Sequence, residues 1–294
     1  MTVFVNYFRR LVFLTQVGVV LCHMQIIYQD NHLLVVNKPA GQLVQGDQTG
    51  RSTLLEEAKT WLKETFNKPG NVFLGLVHRL DRPASGVVVL ARTSKAAARL
   101  SEEIRSRRPR KGYWALVKGE VPERGQWIDR LERDEYTSRV VVAQAGKEAR
   151  LSYSRLKYER GISLVEIDLE TGRHHQIRVQ FANRGFPILG DRRYGSVQTF
   201  AGDSIALHAR RMIIVHPILH KEMLFIADPA QAWQPFIDTI KDERESPWQV
   251  YRMDDNGNRF ELAHNLTEQG ADELIRDYEV KDHKQTYCKE MQNA

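Results

Sequence analysis

Cysteine is nearly absent: the 294 residues hold two, Cys22 and Cys288, one towards each end. A pair so placed supports neither a disulfide framework nor a cysteine-based metal site, and it suits a reducing cytosol. The chain has no P-loop and no glycine-rich nucleotide fingerprint. His208, His216 and His220 lack a carboxylate or cysteine at ligand spacing, so no metal is expected. The apolar run Leu11 to Cys22 is short and interrupted by Thr15 and Gln16, too little to span a bilayer. No internal repeat or low-complexity tract occurs. These absences argue against a membrane partner and against nucleotide, metal or disulfide chemistry.

What is present is an ordinary globular composition, 42% hydrophobic and 27% charged, enough for one large domain or two smaller ones. The net charge of +6 and pI near 9.3 favour an anionic partner, most commonly nucleic acid. Residues 1–23 carry Arg9-Arg10 ahead of the apolar run and imitate a presequence, yet no Ala-x-Ala cleavage site follows. The reading preferred is an early start, with Met24 the first residue of the folded protein; a targeting segment or a structured arm is the alternative.

The stretch that organises the chain is VHRLDRPASGVVVLAR, Val77 to Arg92. Gly86 to Leu90 reads as a buried strand, and just before it stand Asp81, Arg79, Arg82 and Pro83. A loop-to-strand junction lets a rigid element position a reachable side chain; Asp and Pro at this spacing equally suit a simple turn. Around it, Gln25 to Gln29 and Leu33 to Asn37 read as strands, Thr53 to Phe66 as an amphipathic helix, and Lys95 to Ser106 as a helix capped by Thr93 or Ser94. That helix ends in the basic run Arg105, Arg107, Arg108, Arg110 and Lys111, followed by Tyr113-Trp114. Cations beside aromatics fit unpaired RNA and fit equally a solvated helix end.

Strand patterns then dominate: Ala115 to Val121, Trp127 to Leu131, Val140 to Ala143, Ala149 to Tyr158, Ser163 to Leu169, and, after a helix at Gln176 to Asn183, Ile205 to Val215. The fold class expected is α+β, a central, mostly antiparallel or mixed sheet with flanking helices and a cleft across it. The domain would span 24–240. Lys241 to Pro247 reads as a linker, and 248–294 as a small β-β-α-β module with a turn at Asn256-Gly257 and a helix from Thr267 to Glu279.

Three ordered segments carry a resemblance. HRLDRPASG (His78 to Gly86), KGYWALVKGEV (Lys111 to Val121) and TGRHHQIRVQF (Thr171 to Phe181), followed by GFPILGDRRYG and IALHARRMIIVHP, resemble the signature of the RluA-type RNA pseudouridine synthases. The resemblance covers Met24 to Ile240 and implies the same α+β fold and a cofactor-independent isomerisation of uridine in ribosomal or transfer RNA by a cytoplasmic monomer. It implies that Asp81 is the catalytic carboxylate, that Arg178 compensates its charge, and that Tyr113 stacks on the base and helps to remove the C5 proton. Arg79 would contact the backbone or fill the space left by a flipped nucleotide, with Arg82 beside it, and Ile205 and Leu207 would wall the uracil. Ala84 and His174 stand where the family more often has Thr, and Gln180 where it has His. The separate N-terminal RNA-binding domain of many larger members is not part of this sequence, so recognition is expected from the catalytic domain, the basic run or the C-terminal module. A non-catalytic RNA-binding factor is the competing reading; retention of Asp81, Tyr113 and Arg178 together favours the enzyme.

Overall fold

The computed structural model describes residues 24–46, 50–134, 137–141, 145–238, 247–254, 257–280 and 286–292. The N-terminal extension with Cys22, most of the expected linker, and Ala143 and Asn256 lie outside them.

The first third of the chain folds into β1 (Gln25–Gln29), β2 (Leu33–Lys38), α1 (Leu54–Thr65), β3 (Gly75–Leu76), β4 (Ser85–Ala91) and α2 (Ser94–Arg105). Thr53 starts α1 with a capping box: its hydroxyl accepts from the Glu56 amide, and the Glu56 carboxylate accepts from the Thr53 amide. Thr93 caps α2 with its hydroxyl alone, accepting from the Ala96 amide. Every residue of β4 is buried because its alternating faces meet different layers. Val87, Val89 and Ala91 pack with Ala96 and Leu100 of α2, whereas Val88 and Leu90 pack with Leu54, Ala58 and Leu62 of α1. The hydrophobic run read from the sequence is therefore a central strand.

The remainder supplies β5 (Arg110–Lys118), β6 (Arg124–Arg133), β7 (Ser138–Val141), β8 (Lys147–Glu159), β9 (Ile162–Leu169), α3 (Gln176–Ala182), β10 (Leu207–Val215), β11 (Glu222–Ile226), α4 (Gln234–Ile237), β12 (Trp248–Met253), β13 (Arg259–Leu266), α5 (Glu268–Glu279) and β14 (Thr286–Met291). All fourteen described strands join one sheet, whose long path runs β14-β12-β13-β11-β10-β5-β9-β8-β6-β7. Its pairings are antiparallel except that β4 lies parallel to β10, with Ser85 opposite His208 and Gly86 opposite Ala209. The expected α+β class with a mixed sheet is what the chain adopts. One expectation needs correcting: Arg110 and Lys111 do not trail the helix but open β5, where Lys111 pairs with Met212 and Arg110 with Ile213. Helix α2 has already stopped at Ser106, and Arg107 turns the chain at φ +57°.

Helix α3 lies over the strands it must serve, because Ile177 and Phe181 bury themselves with Trp114, Leu116, Leu151 and Ile167. The C-terminal strands and helix have the β-β-α-β order expected and continue the same sheet, Leu266 of β13 pairing with Met223 of β11. Val250, Leu266, Ala271 and Leu274 share a buried cluster with Met223 and Phe225. Between 248 and 292 the sequence has ten acidic and six basic side chains.

Candidate active site

Residues 81–84 form a turn that enters β4, and backbone bonds hold it on both sides. The Arg82 carbonyl accepts from the Gly41 amide at 2.8 Å, and the Pro83 carbonyl accepts from the Ile205 amide at 3.1 Å. Lys38, fully buried, donates its Nζ to the carbonyls of Pro39, Gln42 and Arg82 at 2.8, 3.0 and 3.3 Å. Burial lowers its pKa to about 7, against the raising effect of Asp81. Behind the turn, Gly86 sits at φ +117°, and a Cβ there would come within 2.3 Å of the Ala209 carbonyl oxygen. Only glycine permits β4 and β10 to approach so closely. Ser85 Oγ bonds His208 Nδ1 at 2.8 Å across the same contact.

The Asp81 carboxylate meets Arg178, on the first turns of α3, with Nη1 to Oδ2 at 2.9 Å. Arg178 is buried and is itself clamped by Asp191, Nε to Oδ2 at 2.7 Å and Nη2 to Oδ1 at 2.9 Å. This bidentate fork fixes the guanidinium plane. The three acidic and basic groups form a line from the interior to the cleft: Asp191 is 1% exposed at its side chain, Arg178 5% and Asp81 30%. The two carboxylates hold the Arg178 pKa above its ordinary value despite burial. The Tyr194 ring packs against the guanidinium, 5.1 Å from its carbon to the ring centre.

His175 approaches the same Asp81 oxygen, Nε2 to Oδ2 at 3.6 Å, while its Nδ1 bonds Tyr194 Oη at 2.9 Å. It precedes α3 with φ +52°, and burial lowers its pKa to about 3, so the imidazole is neutral beside the acid. His174 stacks on it and bonds Ser138 Oγ at 3.0 Å. Gln180, where the family more often has His, is fully buried and donates to Asp129 Oδ2 at 2.7 Å, away from Asp81.

Two cavities meet at Asp81, His175 and Arg178, which line both. The first, about 520 Å³, is walled by Tyr113, Leu207, Leu80, Ile177 and Leu169, with Arg79, Arg105, Arg107 and Lys111 at its rim. Burial and the Asp81 charge push the Tyr113 phenol above its ordinary pKa. The second, about 420 Å³, is lined by Arg82, Asp191, Arg192, Arg193 and Ile205 among others. The expected site residues thus divide. Asp81, Tyr113, Arg178, Arg79, Leu207, Arg105, Arg107 and Lys111 share the first cavity, but Ile205 lies with Arg82 in the second rather than beside Leu207. Arg108 and Arg110 line neither; they pair with Glu103 at 3.3 Å and Glu222 at 3.0 Å.

The sequence reading passed over Asp191, Tyr194, His175 and Lys38. Asp191 and Tyr194 belong to the GDRRYG string and Lys38 to VVNKPAG; a buried acid could have been sought for Arg178 there, because a lone cation in a core needs a partner.

Comparison with known proteins bears on the family and the fold. Residues 32–183 match the family described as RNA pseudouridylate synthase. The chain is 33% identical over 204 residues to ribosomal large subunit pseudouridine synthase D of Nitrosomonas europaea, covering 66% of this chain and 58% of that protein. It is 32% identical over 232 residues to tRNA pseudouridine synthase C of Salmonella typhimurium, covering 71% of this chain and 87% of that protein. Among solved structures, human RNA pseudouridylate synthase domain containing 4 aligns with a TM-score of 0.59 at 26% identity, over 70% of this chain and 89% of its own. Human RNA pseudouridylate synthase domain containing 1 shares the fold, with a TM-score of 0.60 at 22% identity over 88% and 95% of the two chains. The matched segment contains all three motifs whole, and the chain belongs to the RNA pseudouridylate synthase family, of the RluA type its motifs resemble.

Proposed function

We propose that the protein isomerises uridine to pseudouridine in ribosomal or transfer RNA, with Asp81 as the catalytic carboxylate acting on a flipped-out nucleotide. The observation that carries this reading is the position of Asp81. Arg178 and His175 both address Oδ2, while no described residue donates a hydrogen bond to Oδ1, which leaves that oxygen for the sugar. A carboxylate oxygen so placed can attack or electrostatically support C1′ as the C1′–N1 bond breaks. The freed uracil then turns within the first cavity and bonds C1′ through C5, exchanging the proton lost from C5 for one gained at N1. Nothing is oxidised or reduced, and no co-reactant is consumed.

The apolar walls around Tyr113 and Leu207 suit a planar base, and the phenol, held protonated at neutral pH, offers a stacking face. Lys111, Arg105 and Arg107 at the rim supply cations for phosphates, and Arg79 is exposed beside them. The names of the relatives, one acting on the large ribosomal subunit and one on transfer RNA, support the two substrate classes.

The test is a pseudouridine map of ribosomal and transfer RNA from cells with and without the gene, complemented by the native chain or by Asp81→Asn. A modification that disappears on deletion and returns only with the native chain is the expected result. A map that stays the same on deletion, or one restored by Asp81→Asn, would sink the assignment.

A further inference from the structure

The second cavity is lined mostly by polar residues, with Pro83 and Ile205 among the exceptions, and besides Arg178 its cations are Arg82, Arg192 and Arg193. Arg178 is committed to Asp81 and Asp191, so its charge is already balanced by two carboxylates. The lining also holds Asp203 and three arginines on two elements, Arg82 on the catalytic turn and Arg192 and Arg193 on the short 3-10 turn after Asp191. Arg192 and Arg193 are exposed, and the turn that carries them is fixed from beneath. Gly190 sits at φ +82° with the Ser204 carbonyl oxygen 2.3 Å from where a Cβ would stand, and Asp191 is locked onto Arg178.

From the shared wall, we infer that this cavity is a phosphodiester subsite: Arg82, Arg192 and Arg193 hold the backbone phosphate adjoining the uridine whose base occupies the first cavity. The inference rests on the proposed reaction. C1′ must sit at Asp81, and Asp81 lines both cavities, so a nucleotide with its base among Tyr113 and Leu207 directs its sugar-phosphate across the carboxylate into the second. Guanidinium groups suit that ligand, because their fork matches two phosphate oxygens. The strand is thereby gripped on both sides of the target nucleotide, by the rim of Lys111, Arg105 and Arg107 and by this arginine set. Such a grip holds C1′ against Oδ1 while the base is detached and turns.

The experiment uses the full chain carrying Asp81→Asn and an oligoribonucleotide containing the uridine identified by the map. It is prepared with ordinary phosphates, or with a neutral methylphosphonate at the linkage on either side of that uridine. Binding is followed by fluorescence anisotropy across a salt series, with and without Arg192→Gln and Arg193→Gln together. The expected result is a loss of about tenfold or more on the all-phosphate RNA, no further loss on one of the two methylphosphonate RNAs, and a fall of about 0.7 in the salt slope per lost contact. Arg82→Gln repeats the cycle from the opposite wall. Equal loss on all three RNAs overturns the subsite while leaving the reaction standing. If the map yields no uridine, the reaction itself fails and the subsite with it.

Discussion

Arg178 serves two carboxylates of different standing, and removing them one at a time should separate loss of stability from loss of turnover. Asp191→Asn takes a full charge from a pair whose side chains are 1% and 5% exposed. Breaking a buried ion pair costs about 3–5 kcal/mol; since Arg178 keeps Asp81 at 2.9 Å, the lower end applies, about 3 kcal/mol. In a chain of this length that is a drop in melting temperature of about 6–12 °C. The guanidinium would also lose the fork that sets its plane, and misplacing the partner of the reacting carboxylate should lower kcat by about a hundredfold. Asp81→Asn removes the carboxylate whose side chain is 30% exposed, and leaves Arg178 still neutralised within the interior. Its stability cost should stay within about 1 kcal/mol, while turnover disappears. Urea denaturation of both variants beside a pseudouridine-formation assay separates the cases. Should Asp81→Asn destabilise as much as Asp191→Asn, or Asp191→Asn keep native stability and rate, the division between structural and reactive carboxylate is wrong.

Three further outcomes follow from other parts of the fold. Gly86→Ala forces a Cβ against the Ala209 backbone at a φ of +117°, and a loss of about 3 kcal/mol or more with loss of turnover is expected; a melting temperature equal to native would refute the close approach of β4 and β10. His78 and His208 have pKa values lowered by burial to about 3 and about 4, so below about pH 6.5 the unfolded chain binds protons that the folded chain refuses. Stability is therefore complete above that pH and declines towards pH 4 by up to about 1.4 kcal/mol per unit for each histidine; urea midpoints that match at pH 7 and pH 5 would contradict this. Deleting the chain after Ser246 uncovers Met223 and Phe225, which pack with Val250 and Leu266, so thermal stability should fall along with any change in RNA modification. A truncated protein as stable as the whole would mean that this packing contributes nothing.

Much of this was legible in one dimension. Thr53 with Glu56, Thr93 and Thr267 each announce a helix start, and each caps one. The alternation in β8 and β9 and the apolar run of β4 mark strands by period and by length. Charge misled at Arg110 and Lys111, which look like a helix tail until pairing with β10 makes them a strand end. The five residues of β11 went unread because no turn signal separates them from His220-Lys221. Residue pattern alone does not bring Asp81 to Arg178 across 97 residues; the family resemblance implied that pairing, whereas which acid clamps Arg178 from behind depends on where α3 and the Gly190 turn come to rest. The division of Ile205 from Leu207 has the same origin. Two positions apart along the chain, they line different cavities because regular pairing begins only at Leu207.

The acidic bias of the C-terminal strands and helix has a consequence for how a polyanion arrives. Those residues extend the sheet past β11, whereas Lys111, Arg105, Arg107 and the Arg192 turn surround the cleft. With RNA as the proposed substrate, this uneven charge should repel phosphate at the C-terminal strands and draw it to the cleft, selecting productive collisions before contact forms. That preference lives in the approach rather than the grip, and it fades once added salt shortens the Debye length below about 8 Å.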